Sequence, residues 1–512
     1  MKAERKHVGI VIAGLLLGIL MASMDNSIVT TAMGTIVHDL GGMDKFVWVT
    51  SAYMVAEMAG MPIFGKLSDM YGRKKFFIFG IITFIIGSIL CGTADSITEL
   101  SIYRAIQGIG GGALVPIAFT IMYDAVPLES RGKLGGLFGS VFGMSSIFGP
   151  MLGAYITDYI NWKWIFYINL PLGLIAFVMI AFFYKESVEH SNQKIDWGGA
   201  FTLVAGIICL MFALELGGKP NYAWDSARIL GLFAGSSVML ISFVLIERKA
   251  AEPIISFNMF RKRLYLTSNA MAMFSGAAYM TATVFIPIFI QGVLGGNATN
   301  AGLVLLPMML GTVVTATGTG FLNTKITFRS LMIPTLAVLV VGNVLLTTLG
   351  VDSSRFIVTV FMIIMGIGIG ASFSVLGNAA IYSFSPRERG SASATLNFLR
   401  SLGMTTGITV FGIIQSHAMT NKIKDAFAGS EDGGTMLANL DLSDPRAILT
   451  PETREQIPKD VLDKIVSALS SSITYTFLWA IIPSVLALAF AFFMSREKLD
   501  AMVESSEYSS SH

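Results

Sequence analysis

Charge is what this sequence is short of. Asp, Glu, Lys and Arg make up 13% of the 512 residues, against roughly 25% in an average soluble chain. The shortfall is concentrated in apolar runs of about 20 residues, each long enough to cross a bilayer core about 30 Å thick as a helix. Lipid offers the backbone no hydrogen-bond partners, so repeated spans of this kind must be helical. The expected fold class is therefore an all-α polytopic membrane protein. Cysteine is nearly absent too. Cys91 and Cys209 both sit in apolar runs, too few for a metal cluster, and read as small hydrophobes in helix contacts. With no HExxH, no nucleophile elbow and no metal-ligand cluster, neither an enzyme nor a cofactor is expected. A net charge of +2 argues neither for nor against nucleic-acid binding, but there is no exposed basic domain to do it.

Fourteen spans are expected, over residues 8–33, 46–66, 76–94, 99–123, 134–158, 164–184, 197–216, 228–246, 266–292, 299–322, 330–349, 355–382, 393–416 and 472–494. The first is read as a retained helix, because no small-residue cleavage site follows it and the run continues past Met24 into Asp25. An even count puts both termini on one side. With the termini inside, the cytoplasmic segments carry 22 Lys and Arg, whereas the short outer loops carry five: Lys45, Lys163, Lys219, Arg228 and Arg355. That asymmetry is the positive-inside signature. Residues 417–471 form the one long hydrophilic stretch, with nine acidic and six basic residues. This topology puts it outside, as a mobile or partly ordered loop or a small helical cap.

The stretch Gly65-Lys66-Leu67-Ser68-Asp69-Met70-Tyr71-Gly72-Arg73-Lys74-Lys75 is wedged between two apolar runs. Glycines permit tight turning, Asp69 can cap or pair at a helix end, and the three basic residues are expected to anchor the inner face. Its G-x-L-x-D-x-x-G-R-K-K form resembles the loop between the second and third helices of the major facilitator superfamily. The resemblance implies a secondary transporter in which Gly65, Asp69, Gly72 and Arg73 latch two bundles in one state through charge contacts that break on switching. A superficial Walker A pattern from Gly60 to Lys66 lacks the Ser/Thr and follows no strand.

Weak internal similarity supports two halves. Pro127-x-x-x-Arg131-Gly132 is echoed by Pro386-x-x-Arg389-Gly390, and the turn at residue 65 by Gly320-Phe321-Leu322-Asn323-Thr324-Lys325. Transporter halves are commonly such repeats, with substrate bound between them near the midplane. The expected organisation is an N-terminal six-helix bundle (1–190), two inserted helices and a linker (191–263), helices 9–13 of the C-terminal bundle (264–416), an extracellular loop (417–471), helix 14 (472–494) and a cytoplasmic tail (495–512). That arrangement resembles the fourteen-span drug/proton antiporter branch, of the EmrB/QacA type.

Other segments carry the same resemblance. Arg104-Ala105-Ile106-Gln107-Gly108-Ile109-Gly110 is similar to the family's R-x-x-Q-G-x-G. An arginine inside a membrane needs a cavity or an acid; the family implies that Arg104 takes part in proton coupling, and pairing with backbone carbonyls is the structural alternative. Gly108 and Gly112 let a neighbouring helix come close. Gly149-Pro150-Met151-Leu152-Gly153 resembles the antiporter motif that bends span 5 and packs it across the repeat interface, with Ala154 in place of the last family glycine. Trp162-Lys163-Trp164-Ile165-Phe166-Tyr167-Ile168-Asn169-Leu170-Pro171 looks like the branch's W-R-W-x-F-x-I-N-x-P, read as interfacial anchoring and packing without chemistry. In Leu20 to Thr30, Asp25 matches the family's L-D-x-T-I-V-N, whereas Met24, Ser27 and Thr30 depart from it.

Asp25 is the leading candidate for proton coupling or cation recognition, against a structural acceptor. Glu57, midway along span 2, is either a second proton site, a counterion for cationic drugs or a buried hydrogen-bonding group. Gln107 joins Asp25 and Glu57 as a candidate substrate contact. Arg400, in the family-like segment Asn397-Phe398-Leu399-Arg400-Ser401-Leu402-Gly403 of span 13, is read as structural, with a functional role as the alternative. The 36 Phe and 29 Met fill cores and face lipid, but also suit adaptable apolar pockets. The function implied is a monomeric, proton-coupled multidrug efflux antiporter of the bacterial plasma membrane, conferring antibiotic resistance. Its partners would be small lipophilic and often cationic substrates, protons and membrane lipids. An exporter of one metabolite or lipid precursor, or a transport-fold sensor without flux, is the alternative.

Overall fold

The computed structural model describes residues 8–41, 47–126, 128–186, 195–218, 222–296, 298–427 and 458–499. Apolar runs too long for any strand become helices: α1 (Val8–Leu40), α2 (Val47–Tyr71), α3 (Arg73–Thr93), α4 (Ile97–Ala125), α5 (Leu128–Tyr159), α6 (Trp164–Phe183), α7 (Trp197–Leu216), α8 (Ala227–Glu247), α9 (Arg263–Gly292), α10 (Ala298–Leu322), α11 (Phe328–Leu346), α12 (Arg355–Tyr382), α13 (Arg389–Phe427) and α14 (Lys459–Phe493). Their starts carry the expected side-chain acceptors: Ser96, Asp196, Ser226, Thr327 and Ser354 each accept from a backbone N–H of the first turn, supplying partners that the helix itself lacks. α6 breaks at Ile168 and restarts at Asn169.

Eleven of these helices are long and apolar enough to cross a membrane by length and composition. α2, α5 and α13 are the ones outside that set. They are also the helices that carry most of the contact between the two ends of the chain: α5 packs on α10 and α12, and α2 on α13. Small and polar residues there face protein instead of lipid.

Packing falls into two sets with one pattern. The pairs α1–α5, α1–α6, α2–α4, α3–α4 and α3–α6 recur eight helices later as α9–α13, α9–α14, α10–α12, α11–α12 and α11–α14. α7 and α8 pack chiefly on each other, with α7 reaching α2. Helix ends outrun the apolar limits read from sequence. α13 continues to Phe427 and α14 begins at Lys459, so helix enters the hydrophilic 417–471 stretch from both sides. Residues 428–457 and 500–512 lie outside the described residues.

Glycine sets the closest approaches. A Cβ at Gly112 on α4 would lie 2.5 Å from the Glu57 carbonyl oxygen on α2, and Gly108 abuts the Tyr53 carbonyl on the same helix. Between α12 and α10, Gly366 sits directly on the backbone carbonyl of Met308, whereas Gly302 on α10 has open space around it. Overfilling a tight contact costs about 1–3 kcal/mol. Gly366→Ala is therefore expected to lower the thermal unfolding midpoint in detergent by several degrees, with Gly302→Ala leaving it unchanged, as read by tryptophan fluorescence.

Candidate functional site

Asp25 lies on α1 with 1% of its surface exposed, and Arg104, Gln107, Asn169 and Ser88 are fully buried around it. The Arg104 guanidinium donates to Asp25 Oδ2 in a short ion pair. The opposite oxygen, Oδ1, accepts from Gln107 Nε2 at 2.8 Å and from Asn169 Nδ2 at 2.9 Å. Gln107 Oε1 takes a second Arg104 N–H at 2.7 Å, and Ser88 Oγ lies 2.7 Å from Gln107 Nε2 and 3.2 Å from Asn169 Nδ2. Arg104 also donates from Nε to the Val49 carbonyl at 3.2 Å and stacks over the Tyr53 ring, 4.1 Å from its centroid. Helices α4 and α6 thus meet at one carboxylate of α1, with α2 and α3 joined to it through Arg104 and Ser88. One partner is an acid, as a buried guanidinium requires, with a backbone carbonyl added to it.

Asn169 and Ser88 were not singled out in the sequence. Asn169 sits inside the W-x-W-x-F-x-I-N-x-P segment, where it opens the second piece of α6. The tryptophans of that segment also differ from expectation. Trp162 is 2% exposed and donates from Nε1 to Asp39 Oδ2 at 2.9 Å, so only Trp164, 54% exposed, is placed to meet lipid.

Asp25 and Gln107 have no surface left for a substrate in this conformation. Glu57 does. It is half-buried on α2, one turn from Tyr53, and no hydrogen bond or ion pair reaches its carboxylate among the described residues.

A second polar cluster lies where the 65–75 turn meets the other half. Gly72 has φ 110°, a conformation that glycine alone adopts readily, and lets α3 start immediately after α2. Asp69 accepts from the backbone N–H groups of Gly390 at 2.9 Å and Ser391 at 2.7 Å, at the start of α13, where the helix dipole favours an anion. Arg73, fully buried, holds Asp69 at 3.2 Å, pairs with Asp124 at the end of α4 and donates to the Pro386 carbonyl. Arg389 closes the chain of charges on Asp124 at 2.6 Å. Gly65 packs against Gly390 and Ala394.

The anchoring expected of the basic trio needs correction: Arg73 is spent on this cluster, and Lys74 donates from Nζ to the carbonyls of Ala181 and Tyr184 at 2.7 Å each. Lys75 alone is exposed. The helix α3 start is capped by Glu186, which accepts from Arg73 N and Lys74 N. In the repeat, Thr324 stands in the place of Asp69, and backbone bonds from Phe328 to Glu497 and from Leu499 to Asn323 hold that turn.

Gly149 and Gly153 are placed differently from expectation. They face Ser27, Thr31 and the Ile28 backbone of α1, in the same half. Gly143 makes the approach to the other half, where a Cβ would lie 2.8 Å from Val313 Cγ2 of α10. Pro150 lies inside a continuous α5. Among the described residues no group of three or more His, Cys, Asp or Glu is placed to hold a metal ion.

Comparison with known proteins adds to this geometry. A family model described as Major Facilitator Superfamily matches residues 15–408. "Multidrug resistance protein 3" of Bacillus subtilis is 53% identical over 502 residues, covering 98% of both chains. "Multidrug transporter protein MdtP" of the same organism is 37% identical, covering 91% of this chain and 88% of its own length. Among solved structures, the proton:xylose symporter XylE superposes with a TM-score of 0.62 at 14% identity, over 97% of this chain and 98% of that one.

Hydrogen bonds to a charged group contribute about 1.5–3 kcal/mol each. Asp69→Ala removes two such bonds from the start of α13. Amide exchange in a peptide spanning residues 389–395 is expected to accelerate by about tenfold or more, while a peptide from α11 keeps its rate. Hydrogen–deuterium exchange with mass spectrometry reads both.

Proposed function

Because the chain belongs to the major facilitator superfamily, we propose that it is a proton-coupled multidrug efflux antiporter. It exports lipophilic and often cationic compounds across the bacterial plasma membrane. The observation that carries this reading is the buried Asp25–Arg104–Gln107–Asn169–Ser88 network beside the unpartnered Glu57. Two relatives that span nearly its whole length are named for multidrug resistance and multidrug transport. Fourteen transmembrane spans with both termini cytoplasmic fit the even helix count and the bias of Lys and Arg. α1–α6 and α9–α14 are then the two bundles, with α7 and α8 inserted between them, and the protein works as a monomer in contact with lipid.

In this reading the Asp69–Arg73–Asp124–Arg389 cluster closes the cytoplasmic face, and Gly65, Gly72, Gly149, Pro150 and Gly153 let the helices around it switch. From the outside, a proton reaches Asp25 and cancels the charge that holds Arg104 and Gln107. The freed donors reorganise α1 against α4, and the latch loosens. On the inner face the proton leaves, substrate enters beside Glu57, and the ion pair re-forms as the bundles rock back. A ligand can shift such a balance only through its differential affinity for the two states, and the protonation of Asp25 provides that difference.

Purified protein in liposomes with an imposed pH gradient tests the scheme, with a lipophilic cationic dye as substrate. Gradient-driven dye movement is expected in the wild type, to fall to background in Asp25→Asn, and to drop by about tenfold in Glu57→Gln. Dye exchange that survives both substitutions would overturn the roles given to these acids.

A further inference from the structure

The inserted pair α7–α8 stands outside the repeated packing pattern, yet the segment that follows it is tied down at both ends. At the first end, Lys66 of α2, next to Gly65, donates from Nζ to Glu252 Oε2 at 2.6 Å. Glu247, buried at the end of α8, accepts from the Ile254 N–H at 3.0 Å. Ile254 and Ile255 are buried in one cluster with Val55 and Met58 of α2 and Leu203 of α7. A single 3₁₀ turn, Phe257–Arg261, then leads to the second half. There Lys262 donates from Nζ to the Ser383 carbonyl at the end of α12 and lies over the Phe384 ring, 4.3 Å from its centroid. Arg263 donates to the Phe493 carbonyl at the end of α14. Both cations thus sit on helix C-termini, where the dipole favours them.

Between Ile255 on one side and Lys262 on the other, five residues are wound into the 3₁₀ turn, at a rise of about 2 Å each. Parting α2 from α12 must therefore unwind that turn or undo a fastening. The two fastenings differ. Lys66–Glu252 is a single ion pair, with side chains 17% and 20% exposed, and a pair that water reaches contributes little net energy. The other end sets two cations on two separate helix ends. The first fastening is the one that yields. Asp69 lies three residues beyond Lys66 on α2 and holds the start of α13, so both attachments act on one helix end.

We propose that residues 247–263 form a strap that holds α2 against the second half, with the Lys66–Glu252 pair as its release point, so that strap and latch open together. This gives the inserted helices a role. α7 and α8 carry the strap's anchorage and set how easily the cytoplasmic face parts. The coupling of strap to latch stands on the contacts themselves; that it operates during transport rests on the antiport reading.

The test is hydrogen–deuterium exchange of the full-length protein in lipid nanodiscs, followed in peptides spanning 250–256 in the strap, 389–395 in the latch and part of α11. Glu252→Gln is expected to accelerate the first two by about threefold each and to leave α11 unchanged. The charge swap that joins Lys66→Glu to Glu252→Lys is expected to restore both. Coupling between two sites is reciprocal, so Asp69→Ala is expected to accelerate the strap peptide as well as the latch. Acceleration confined to the strap in Glu252→Gln, or to the latch in Asp69→Ala, overturns the proposal. So does acceleration that extends to α11, or that the swap leaves in place. Coupled exchange in a protein that shows no gradient-driven dye movement would overturn the antiport reading and leave the strap standing. Dye movement with uncoupled exchange does the reverse.

Discussion

Lipid gives a charge nothing to bond to, and the interior of this protein is arranged around that constraint. Arg104 and Asp25 neutralise each other at the centre of the N-terminal half, Gln107 and Asn169 from two further helices complete the carboxylate's shell, and Ser88 holds those two amides. Arg73, equally buried, takes two aspartates and a carbonyl from three separate elements. Against that background Glu57 and Arg400 are exceptions. Both are half-buried, and neither forms an ion pair among the described residues. Groups of this kind mark places where water, a proton or a ligand completes the shell.

The contact between the halves combines two kinds of interaction that both need close approach. Carboxylates on helix N-termini and on guanidinium groups act only over bonding distance, as Asp69 does on Gly390 and Ser391. Glycine-to-backbone packing is equally short-ranged and fails as soon as the surfaces part. Neither yields gradually, so contacts of this kind suit the two-state switching proposed above better than a continuum of arrangements. α5 adds to this by pairing with α1 through Gly149 and Gly153 and with α10 through Gly143, on different faces of one helix.

Asp25, Arg104, Gln107 and the 65–75 turn were legible in the sequence because a charge or an amide within an apolar run stands out against its neighbours. Asn169 and Ser88 were not, since Ser and Asn are common in membrane helices and spacing along the chain cannot say which faces meet across 81 residues of separation. The same holds for Asp124, which sits at a helix end where an acid is unremarkable, and for the Pro386 carbonyl, which has no side chain to read. Its neighbours Arg389 and Gly390 were noticed only as an echo of the first half. Helix limits were misjudged where helix continues into polar sequence, as at Phe427 and Lys459, because hydropathy reports contact with lipid and not backbone conformation. Trp162 was misplaced for a related reason: an indole beside a span end reads as an interfacial anchor unless its bond to Asp39 is known.

Gly65 rests on Gly390 and Ala394 with no room for a methyl group, and under the alternation proposed above this would give one position control over how long the protein waits in each state. A side chain there would act as a doorstop, raising the energy of the closed arrangement by about 1–3 kcal/mol and so moving the balance by about 5- to 150-fold. The spot is made of backbone and one methyl group, with none of the acids proposed to carry proton or substrate. Turnover and leak can therefore drift under selection independently of what is recognised, and two proteins of identical binding surface can differ widely in pumping speed.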